Sequence, residues 1–314
     1  MGRSHTACIH ASTSLASTSG STDGGGTSMK KTEQRSTMQT IQYGASADQQ
    51  GDLYLPATPR PPVVCLLHGG FWRMPYGRDQ MNAIANDLVA HGLAVWNMEY
   101  RRLGAPQTAW PVTMDDVAAG IGHLADLCTG GIDVDLDRVI VVGHSAGGHL
   151  ALWAAGRSHA RNTSLAGVRI QAVVGLAPVA DLAEAYVRKV GGEVVVELLG
   201  GTPAQYPDRL RAASPMEMLP LRVRQFILHG IADGVVPIDL SLGYVRAAEA
   251  AGDTVELIEL PGTGHMEYLD PDSEAHAILR RWLLESMSEA GSRVSAVEQQ
   301  LAADGAHAST EQEH

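Results

Sequence analysis

Cysteine is scarce in this sequence of 314 residues, which contains 3 of them. Cys8, Cys65 and Cys128 are odd in number and irregularly spaced, so their pattern predicts neither a disulfide framework nor a zinc site. Cys65 lies in an apolar run, where a free cysteine behaves as a small core residue. Because disulfide-rich proteins are typical of oxidising compartments, this usage favours a reducing one, and we expect a cytoplasmic protein.

Long apolar runs, basic clusters and internal repeats are also missing. No apolar stretch approaches the roughly 20 residues of a membrane span, so the sequence predicts no transmembrane segment. The 23 basic and 35 acidic residues give a net charge of −12 without any Lys/Arg-rich run, which argues against nucleic acid and anionic membranes as partners. Without repeats, nothing indicates a propeller domain that would gate a peptidase site. An acidic soluble protein is expected.

The two ends of the chain differ in composition from the part between them. Residues 1–28 are rich in Ser, Thr and Gly and lack the apolar h-region of a secretory signal. Such a segment buries too little apolar surface to offset its ordering entropy, so we predict a disordered leader over residues 1–36. Met29 and Met38 are alternative translation starts under this hypothesis, which N-terminal sequencing of native protein would test. Residues 288–314 are small, polar and acidic, and we predict a flexible tail there.

Residues 37–287 alternate between short apolar runs and segments with helical periodicity. This alternation predicts βαβ crossovers and a mostly parallel, doubly wound α/β sheet flanked by helices. The stretch 181–220 is too long for one crossover and is interrupted by Gly and Pro, so we predict a small cap-like insertion there. Strands are predicted at Gln39–Tyr43, Gly51–Leu55, Val63–Leu67, Ala94–Met98, Val139–Val142, Ile170–Leu176, Gln225–His229 and Thr254–Leu260. Helices are predicted at Asp79–His91, from Pro111 onward, at Gly147–Ala155, between Pro237 and Gly252, and at Ser273–Met287.

One predicted strand runs directly into a serine flanked by glycines. Val139–Val142 is followed by Gly143-His144-Ser145-Ala146-Gly147, and a helix is predicted after it. A Gly-x-Ser-x-Gly match alone is weak, but strand, sharp turn and helix are the context of a nucleophile elbow. Glycines are needed there because the serine has strained backbone angles and close neighbours. Ser145 is therefore the candidate nucleophile; the alternative is a glycine-rich turn with an idle serine.

A serine hydroxyl needs a base, and an acid that orients the base, to act as a nucleophile at neutral pH. His265 follows the last predicted strand in the Gly-rich segment Gly262-Thr263-Gly264-His265 and is the candidate base. Asp233 follows the preceding strand in His229-Gly230-Ile231-Ala232-Asp233 and is the candidate acid, with Asp181 as its competitor. The chain order Ser, Asp, His is the one that α/β-hydrolases use.

Backbone N–H groups near the serine are expected to stabilise a developing oxyanion. Ser145 precedes a predicted helix, whose N-terminus favours negative charge, so the N–H of Ala146 is the first expected donor. The segment His68-Gly69-Gly70-Phe71 leaves a central strand where the second donor is expected, and Gly70 and Phe71 are the candidates. The alternative is a His-Gly-Gly segment that serves only as a tight turn.

These motifs together resemble the α/β-hydrolase superfamily over roughly Gln39–Met287. The closest likeness is to the bacterial carboxylesterase and kynurenine formamidase-like (feruloyl-esterase-like) group, whose motifs resemble His68-Gly69-Gly70-Phe71-Trp72, Glu99-Tyr100-Arg101-Arg102, Gly143–His149 and His229–Asp233. The likeness to hormone-sensitive-lipase-type esterases is looser, because Phe71 replaces their third glycine. The resemblance implies an α/β-hydrolase fold and identifies Ser145, Asp233 and His265 as the triad.

Three aromatic residues are candidates for the wall of a substrate pocket. Trp72, Tyr100 and Trp110 lie in or near loops on the expected catalytic edge of the sheet. Large aromatic side chains often line ligand pockets, although more of them belong to cores. An acyl or aryl pocket and a purely structural role therefore both stay open for them.

The function expected from these residues is hydrolysis of small carboxylic esters through an acyl-enzyme, without a metal ion or an organic cofactor. Arylformamidase activity on aryl amides uses the same machinery and is the first alternative. One of Arg73, Arg101 and Arg102 could hold the carboxylate of an amino-acid-derived formamide, although a structural role is more common. A non-catalytic receptor or scaffold is the second alternative; such proteins commonly lose a triad member, whereas all three are present here.

Overall fold

A computed structural model describes residues 36–104, 110–158, 165 and 167–288. Its strands are β1 (Thr37–Gln42), β2 (Gln50–Leu55), β3 (Pro62–Leu67), β4 (Ala94–Met98), β5 (Asp135–His144), β6 (Ile170–Leu176), β7 (Arg224–Gly230) and β8 (Val255–Leu260). They form one sheet in the order β1-β2-β4-β3-β5-β6-β7-β8. β2 pairs antiparallel with both of its neighbours, and every other adjacent pair is parallel. The sheet is therefore mostly parallel, as the sequence predicts.

The central strands are apolar throughout because both faces of the sheet are covered. Every residue of β3 and of β4 is buried. Successive side chains of a strand point to opposite faces. Cys65 and Leu67 accordingly join the hydrophobic core on one face, and Val64 and Leu66 join the core on the other.

Helices cover the two faces of the sheet in separate groups. The first group is α2 (Val112–Thr129), α3 (Ala146–Ser158) and α7 (Asp239–Ala250), whose buried residues belong to the core that contains Cys65. The second group is α1 (Asn82–Ala90) and α8 (274–288), whose buried residues belong to the core that contains Val64. Helices α1 and α8 also contact each other, since Asp87 accepts hydrogen bonds from His276 (2.7 Å) and Arg280 (2.9 Å).

Three short helices occupy the segment in which a cap-like insertion is predicted, between β6 and β7. They are α4 (Leu182–Val187), α5 (Val194–Leu199) and α6 (Pro207–Ala213). Asp181 begins α4 as its N-cap, accepting from the N–H groups of Ala183 and Glu184. Gly200 ends α5 in the left-handed region, with φ of +74°. The role of this segment as a cap stays a prediction.

The predicted elements match the observed ones to within a few residues, except at β5. The sequence predicts a strand over Val139–Val142, whereas β5 spans ten residues, Asp135–His144. Its polar first residues are held by pairing, since Pro62 opposes Asp135 and Arg138 donates to the Asp135 carboxylate at 2.7 Å. Hydropathy alone therefore gives too short a strand. The predicted leader and tail fall almost entirely on residues 1–35 and 289–314, outside the described residues.

Candidate active site

The chain reverses its path across the sheet between β3 and β5. From β3 it passes to β4 on one side, and β5 to β8 then follow on the other. In open parallel sheets, ligands bind at such a switch point, outside the carboxyl ends of the strands. The segment that begins at His68 follows β3, and Ser145 follows β5. The topology therefore brings the candidate nucleophile and the candidate oxyanion segment to one place.

Ser145 forms a sharp turn between β5 and α3. Its φ is +56°, a left-handed conformation that costs an L-residue roughly 1–3 kcal/mol. Its N–H donates to the carbonyl of Leu176 at 2.8 Å, and its own carbonyl accepts from the N–H of His149 at 3.1 Å. Bonds to β6 and to α3 thus hold a strained serine at a helix N-terminus, which is the geometry of a nucleophile elbow.

The glycines around Ser145 allow strand and helix to approach closely, and Gly147 is the clearest case. A Cβ on Gly147 would lie 2.1 Å from the carbonyl oxygen of Leu67 in β3. Gly147→Ala is therefore expected to destabilise the fold by about 3 kcal/mol or more, since backbone atoms would have to move. Thermal unfolding followed by circular dichroism measures the loss.

Gly243 offers a matched control for that substitution, because it is also a helical glycine. A Cβ on Gly243 in α7 would meet nothing within 4 Å. Gly243→Ala is expected to stabilise the protein by about 0.5–1 kcal/mol through its helix propensity. Equal melting temperatures for Gly147→Ala and wild type would show that the close approach at the elbow is not required.

The candidate base and acid are in direct contact. His265 Nδ1 lies 2.6 Å from Asp233 Oδ2, and the side chains of His265 and Asp233 are 10% and 0% exposed. A carboxylate only accepts hydrogen bonds, so Nδ1 carries the proton and Nε2 is left with the lone pair that a base needs. The structure thus places Asp233 where it orients His265, across 32 residues of sequence.

Four N–H groups face the Asp233 carboxylate. Oδ1 accepts from the N–H groups of Val235 (2.8 Å) and Val236 (2.9 Å), and Oδ2 faces both His265 and His229, the latter at 3.4 Å. Burial alone would raise the pKa of Asp233, but the hydrogen bonds from His229, His265, Val236 and Val235 hold it well below its usual range. Its competitor from the sequence, at position 181, instead serves as the N-cap of α4.

His144 holds the loop that carries His265 against the elbow. Its Nε2 donates to the carbonyl of His265 at 2.7 Å, and the two rings lie 4.7 Å apart. Burial, together with the nearby charge of His265, lowers the pKa of His144 to about 3. His144 is therefore neutral at physiological pH, and the residue next to the nucleophile in sequence fixes the main chain of the candidate base.

The segment after β3 has an unusual backbone. Gly70, Phe71 and Trp72 follow one another with φ values of +104°, +56° and +56°. A Cβ on Gly69 would lie 3.3 Å from Ser145 Cβ, so this segment passes directly beside the elbow. The oxyanion role of the Gly70 and Phe71 N–H groups stays a prediction, and after it we name residues 69–73 the oxyanion loop.

A buried polar cluster lies beneath the oxyanion loop. His68 Nε2 donates to Glu99 at 2.7 Å, and the Tyr100 hydroxyl donates to the His68 carbonyl at 2.8 Å. Burial opposes ionisation of Glu99, but the hydrogen bond from His68 and the charge of Arg102 bring its pKa below the usual value. The Tyr100 ring stacks on the His68 ring at 4.3 Å. This cluster gives Glu99, Tyr100 and Arg102 of the motif at residues 99–102 a structural role.

A family model described as BD-FAE matches residues 52–246, from β2 into α7. The chain belongs to the BD-FAE family. The order of its strands, the elbow after β5 and its similarity to esterase structures also confirm the predicted α/β-hydrolase fold.

Relatives of this BD-FAE protein carry hydrolase names. Esterase LipQ of Mycobacterium tuberculosis is 29% identical over 220 residues, 66% of this chain and 50% of LipQ. Kynurenine formamidase of Danio rerio is 22% identical over 258 residues, 81% of this chain and 83% of the relative. An inhibited Esterase B from Lactobacillus rhamnosis superposes with a TM-score of 0.72 at 22% identity, covering 85% of this chain and 91% of that one. The chain spans about half the length of several of the curated relatives it matches.

Two of the three aromatic residues considered for the pocket wall of this BD-FAE protein lie in its core. Trp72 is 1% exposed and Tyr100 is 0% exposed. Both side chains donate hydrogen bonds within the protein: Trp72 donates to His149, and Tyr100 donates to the carbonyl of His68. Trp72 therefore anchors the oxyanion loop in the core, Tyr100 bonds the residue before that loop, and neither side chain faces an open pocket. Trp110 is half-buried in a small cleft with Leu103 and Leu198.

The three arginines considered for carboxylate binding are all paired within the BD-FAE protein. Arg101 donates to Asp116 through Nε at 2.8 Å and through Nη2 at 2.6 Å. Arg102 donates to Asp48 at 2.7 Å, and Arg73 donates to Glu197 at 2.8 Å. These contacts correspond to the structural role that the sequence leaves open.

The supporting role of the buried histidines is not predicted by the sequence. His144, His149 and His229 appear there only as members of motifs. In the structure His229 Nε2 donates to the Val236 carbonyl at 2.9 Å beside the candidate acid. The one signal available is the number of histidines in these motifs, since the partners of His144 and His149 lie 121 and 64 residues away in sequence.

Two further classes of site were searched among the described residues. Within them, no three or more His, Cys, Asp or Glu side chains are grouped so that they could hold a metal ion. No helix in the described part of the chain is both long and apolar enough to cross a membrane.

Proposed function

We propose that this protein is a serine hydrolase of small carboxylic esters that works through an acyl-enzyme. The observation that carries the proposal is the 2.6 Å contact between His265 and Asp233, on loops docked against the left-handed turn of Ser145. Membership of the BD-FAE family and the likeness to LipQ support the same chemistry.

In the proposed reaction, His265 Nε2 takes the proton of the Ser145 hydroxyl as Oγ attacks the ester carbonyl. The carbonyl oxygen gains a negative charge, which the N–H groups of Ala146 and of Gly70 or Phe71 stabilise. His265 then gives its proton to the leaving alcohol as the carbon–oxygen bond breaks. Water hydrolyses the acyl-serine by the same steps, so the acid is released and the enzyme is restored.

Exposed apolar side chains near the site favour a substrate with an apolar group. Ile231 is 51% exposed and Val235 39% exposed, on either side of Asp233 in sequence, and Met266, next to His265, is 52% exposed. Tyr76 is 46% exposed and packs over Gly70 of the oxyanion loop. Large side chains of this kind mark ligand sites when they cluster on loops that carry function.

Arylformamidase activity is the second candidate, supported by the match to the zebrafish kynurenine formamidase over 83% of that protein. Formylkynurenine carries a carboxylate, and the three arginines considered for binding it are each paired with an acidic side chain of this chain. The pairing favours an uncharged ester over the anionic formamide.

A comparison of substrates tests the proposal. We expect p-nitrophenyl acetate and p-nitrophenyl octanoate to be hydrolysed with kcat/KM at least about 100-fold above that of N-formylkynurenine, a difference of about 2.7 kcal/mol in transition-state stabilisation. The two chain lengths report how large an apolar group the site accepts. A higher kcat/KM for the formamide would assign the protein to the second candidate.

Labelling by a fluorophosphonate separates an enzyme from a non-catalytic protein of the same fold. The folded protein is expected to be labelled at Ser145, found by peptide mass spectrometry, because an activated serine attacks phosphorus as it attacks an ester. Folded protein that is neither labelled nor active on any of the three substrates would support the receptor or scaffold alternative.

A further inference from the structure

The oxyanion loop adopts a conformation that its own residues do not favour. Gly70 accepts positive φ without cost, but Phe71 and Trp72 are bulky residues in the left-handed region. Such strain persists only where surrounding structure imposes it. The N–H of Arg73 donates to the Gly70 carbonyl at 2.9 Å, which closes the turn, and the N–H of Leu103 donates to the Trp72 carbonyl at 2.7 Å, which holds the main chain at the end of the loop. The side chains of residues 71–73 make the remaining contacts.

Trp72 is tied to the insertion through one buried histidine. The indole N–H of Trp72 donates to His149 Nδ1 at 3.2 Å, and His149 Nε2 lies 2.9 Å from the carbonyl of Ala213, the last residue of α6. An indole only donates and a carbonyl only accepts, so both partners require the same tautomer, with the proton on Nε2. Burial lowers the pKa of His149 to about 4, so this tautomer persists at neutral pH.

The two neighbours of Trp72 contact the same insertion directly. The Phe71 ring packs over Gly191, where an added Cβ would lie 2.5 Å from Cδ1. Arg73 donates to Glu197 of α5 from Nε at 2.8 Å and also from Nη2. Phe71, Trp72 and Arg73 are therefore all connected to the segment between β6 and β7. Phe71 and Arg73 contact it directly, and Trp72 is connected to it through His149 of α3.

We infer that His149 is a positioning residue, which holds the oxyanion loop in register with α6 and thereby sets the direction of the Gly70 and Phe71 N–H groups. This inference rests on the proposed function. In this assignment the His149 side chain contacts neither the substrate nor a triad side chain; the 3.1 Å bond from its N–H to the Ser145 carbonyl belongs to the main chain of α3. Its effect is expected on kcat with KM little changed, because oxyanion hydrogen bonds strengthen in the transition state.

Substitutions of the two residues that form the Trp72–His149 hydrogen bond test the inference. His149→Leu removes both hydrogen bonds, and Trp72→Phe removes the donor; each is expected to lower kcat on p-nitrophenyl acetate about 10- to 100-fold, since small misplacements of catalytic groups have effects of this size. His149→Asn offers an oxygen to Trp72 near the Nδ1 position and is expected to retain more activity than His149→Leu.

Trp153→Phe is the matched control. Trp153 lies on the same helix as His149 and its indole N–H donates to the carbonyl of Ala212 at 2.9 Å, so this hydrogen bond joins α3 to α6 and not to the oxyanion loop. Its kcat is expected to stay within about twofold of wild type. A loss of kcat in Trp153→Phe equal to that in Trp72→Phe would assign both residues to general stability and overturn the inference.

Hydrogen exchange gives a readout that does not depend on activity. In folded His149→Leu, checked by circular dichroism, the amides of residues 70–74 are expected to exchange at least about tenfold faster than in wild type, with the β3 amides unchanged. Unchanged exchange at 70–74 would overturn the inference even if esterase activity is found. If the amides exchange faster but the protein has no esterase activity, the role of His149 in holding the loop stands and only the proposed function is refuted.

Discussion

Alanine in place of Ser145 is expected to lower kcat for p-nitrophenyl acetate by about 10⁵- to 10⁶-fold, the size of effect that loss of a serine nucleophile has in other hydrolases. Ser145 is 3% exposed and sits in the left-handed region with φ of +56°. Alanine keeps the Cβ and the same backbone strain, so the fold is expected to tolerate the change. Only the hydroxyl that forms the acyl-enzyme is lost, and KM is expected to change little.

Pre-steady-state kinetics distinguish loss of the nucleophile from partial damage. Wild type is expected to release a burst of p-nitrophenol as the acyl-enzyme accumulates, and Ser145→Ala to release none. Ser158→Ala, at the other end of α3, is the matched control, because its hydroxyl donates to the Ala155 carbonyl of its own helix at 2.7 Å. Ester hydrolysis by Ser145→Ala at more than about a hundredth of the wild-type rate would refute the mechanism.

Asparagine in place of Asp233 is expected to lower kcat about 10⁴-fold, by forcing the wrong tautomer on His265. The N–H groups of Val235 and Val236 require an acceptor at the Oδ1 position, so the asparagine oxygen must stay there. The amide nitrogen then takes the Oδ2 position, 2.6 Å from His265 Nδ1. An N–H donor there moves the histidine proton to Nε2, which no longer has a lone pair for the serine.

The control for this change is the acid that the sequence leaves as a competitor. Asp181 caps α4 through the N–H groups of Ala183 and Glu184, and asparagine caps helices about as well as aspartate. Asp181→Asn is therefore expected to keep kcat within about twofold and stability within about 0.5 kcal/mol of wild type. The opposite ranking of the two variants would transfer the role of the acid to Asp181.

The elements that carry the site could be predicted because their signals are local. An apolar β-branched run such as Val63–Leu67 reads as a buried strand whatever surrounds it, and the pentapeptide around Ser145 shows its need for glycine within a few residues. The boundaries were less accurate where pairing across the sheet decides them. At Asp135 the partner is Pro62, which a reading of neighbouring residues does not include.

The use of a side chain was much harder to predict than its position. Trp72 and Tyr100 lie in the loops where the sequence expects them, yet both are buried supports rather than pocket walls. Their partners decide this, and the indole of Trp72 bonds a histidine 77 residues away. Arg73 likewise pairs with an acid 124 residues away, which leaves it committed within the chain.

The sequence by itself determined the class of fold, the nucleophile motif and the order in which serine, aspartate and histidine follow one another. These features depend on residue type and on spacing along the chain, so they can be recognised in the sequence alone. Only the tertiary structure decided that His265 bonds Asp233 while Asp181 caps a helix, and that His149 joins the oxyanion loop to α6. Hydrogen bonds of this kind need atoms within about 3 Å of each other, and the number of residues between two positions does not determine their distance in space.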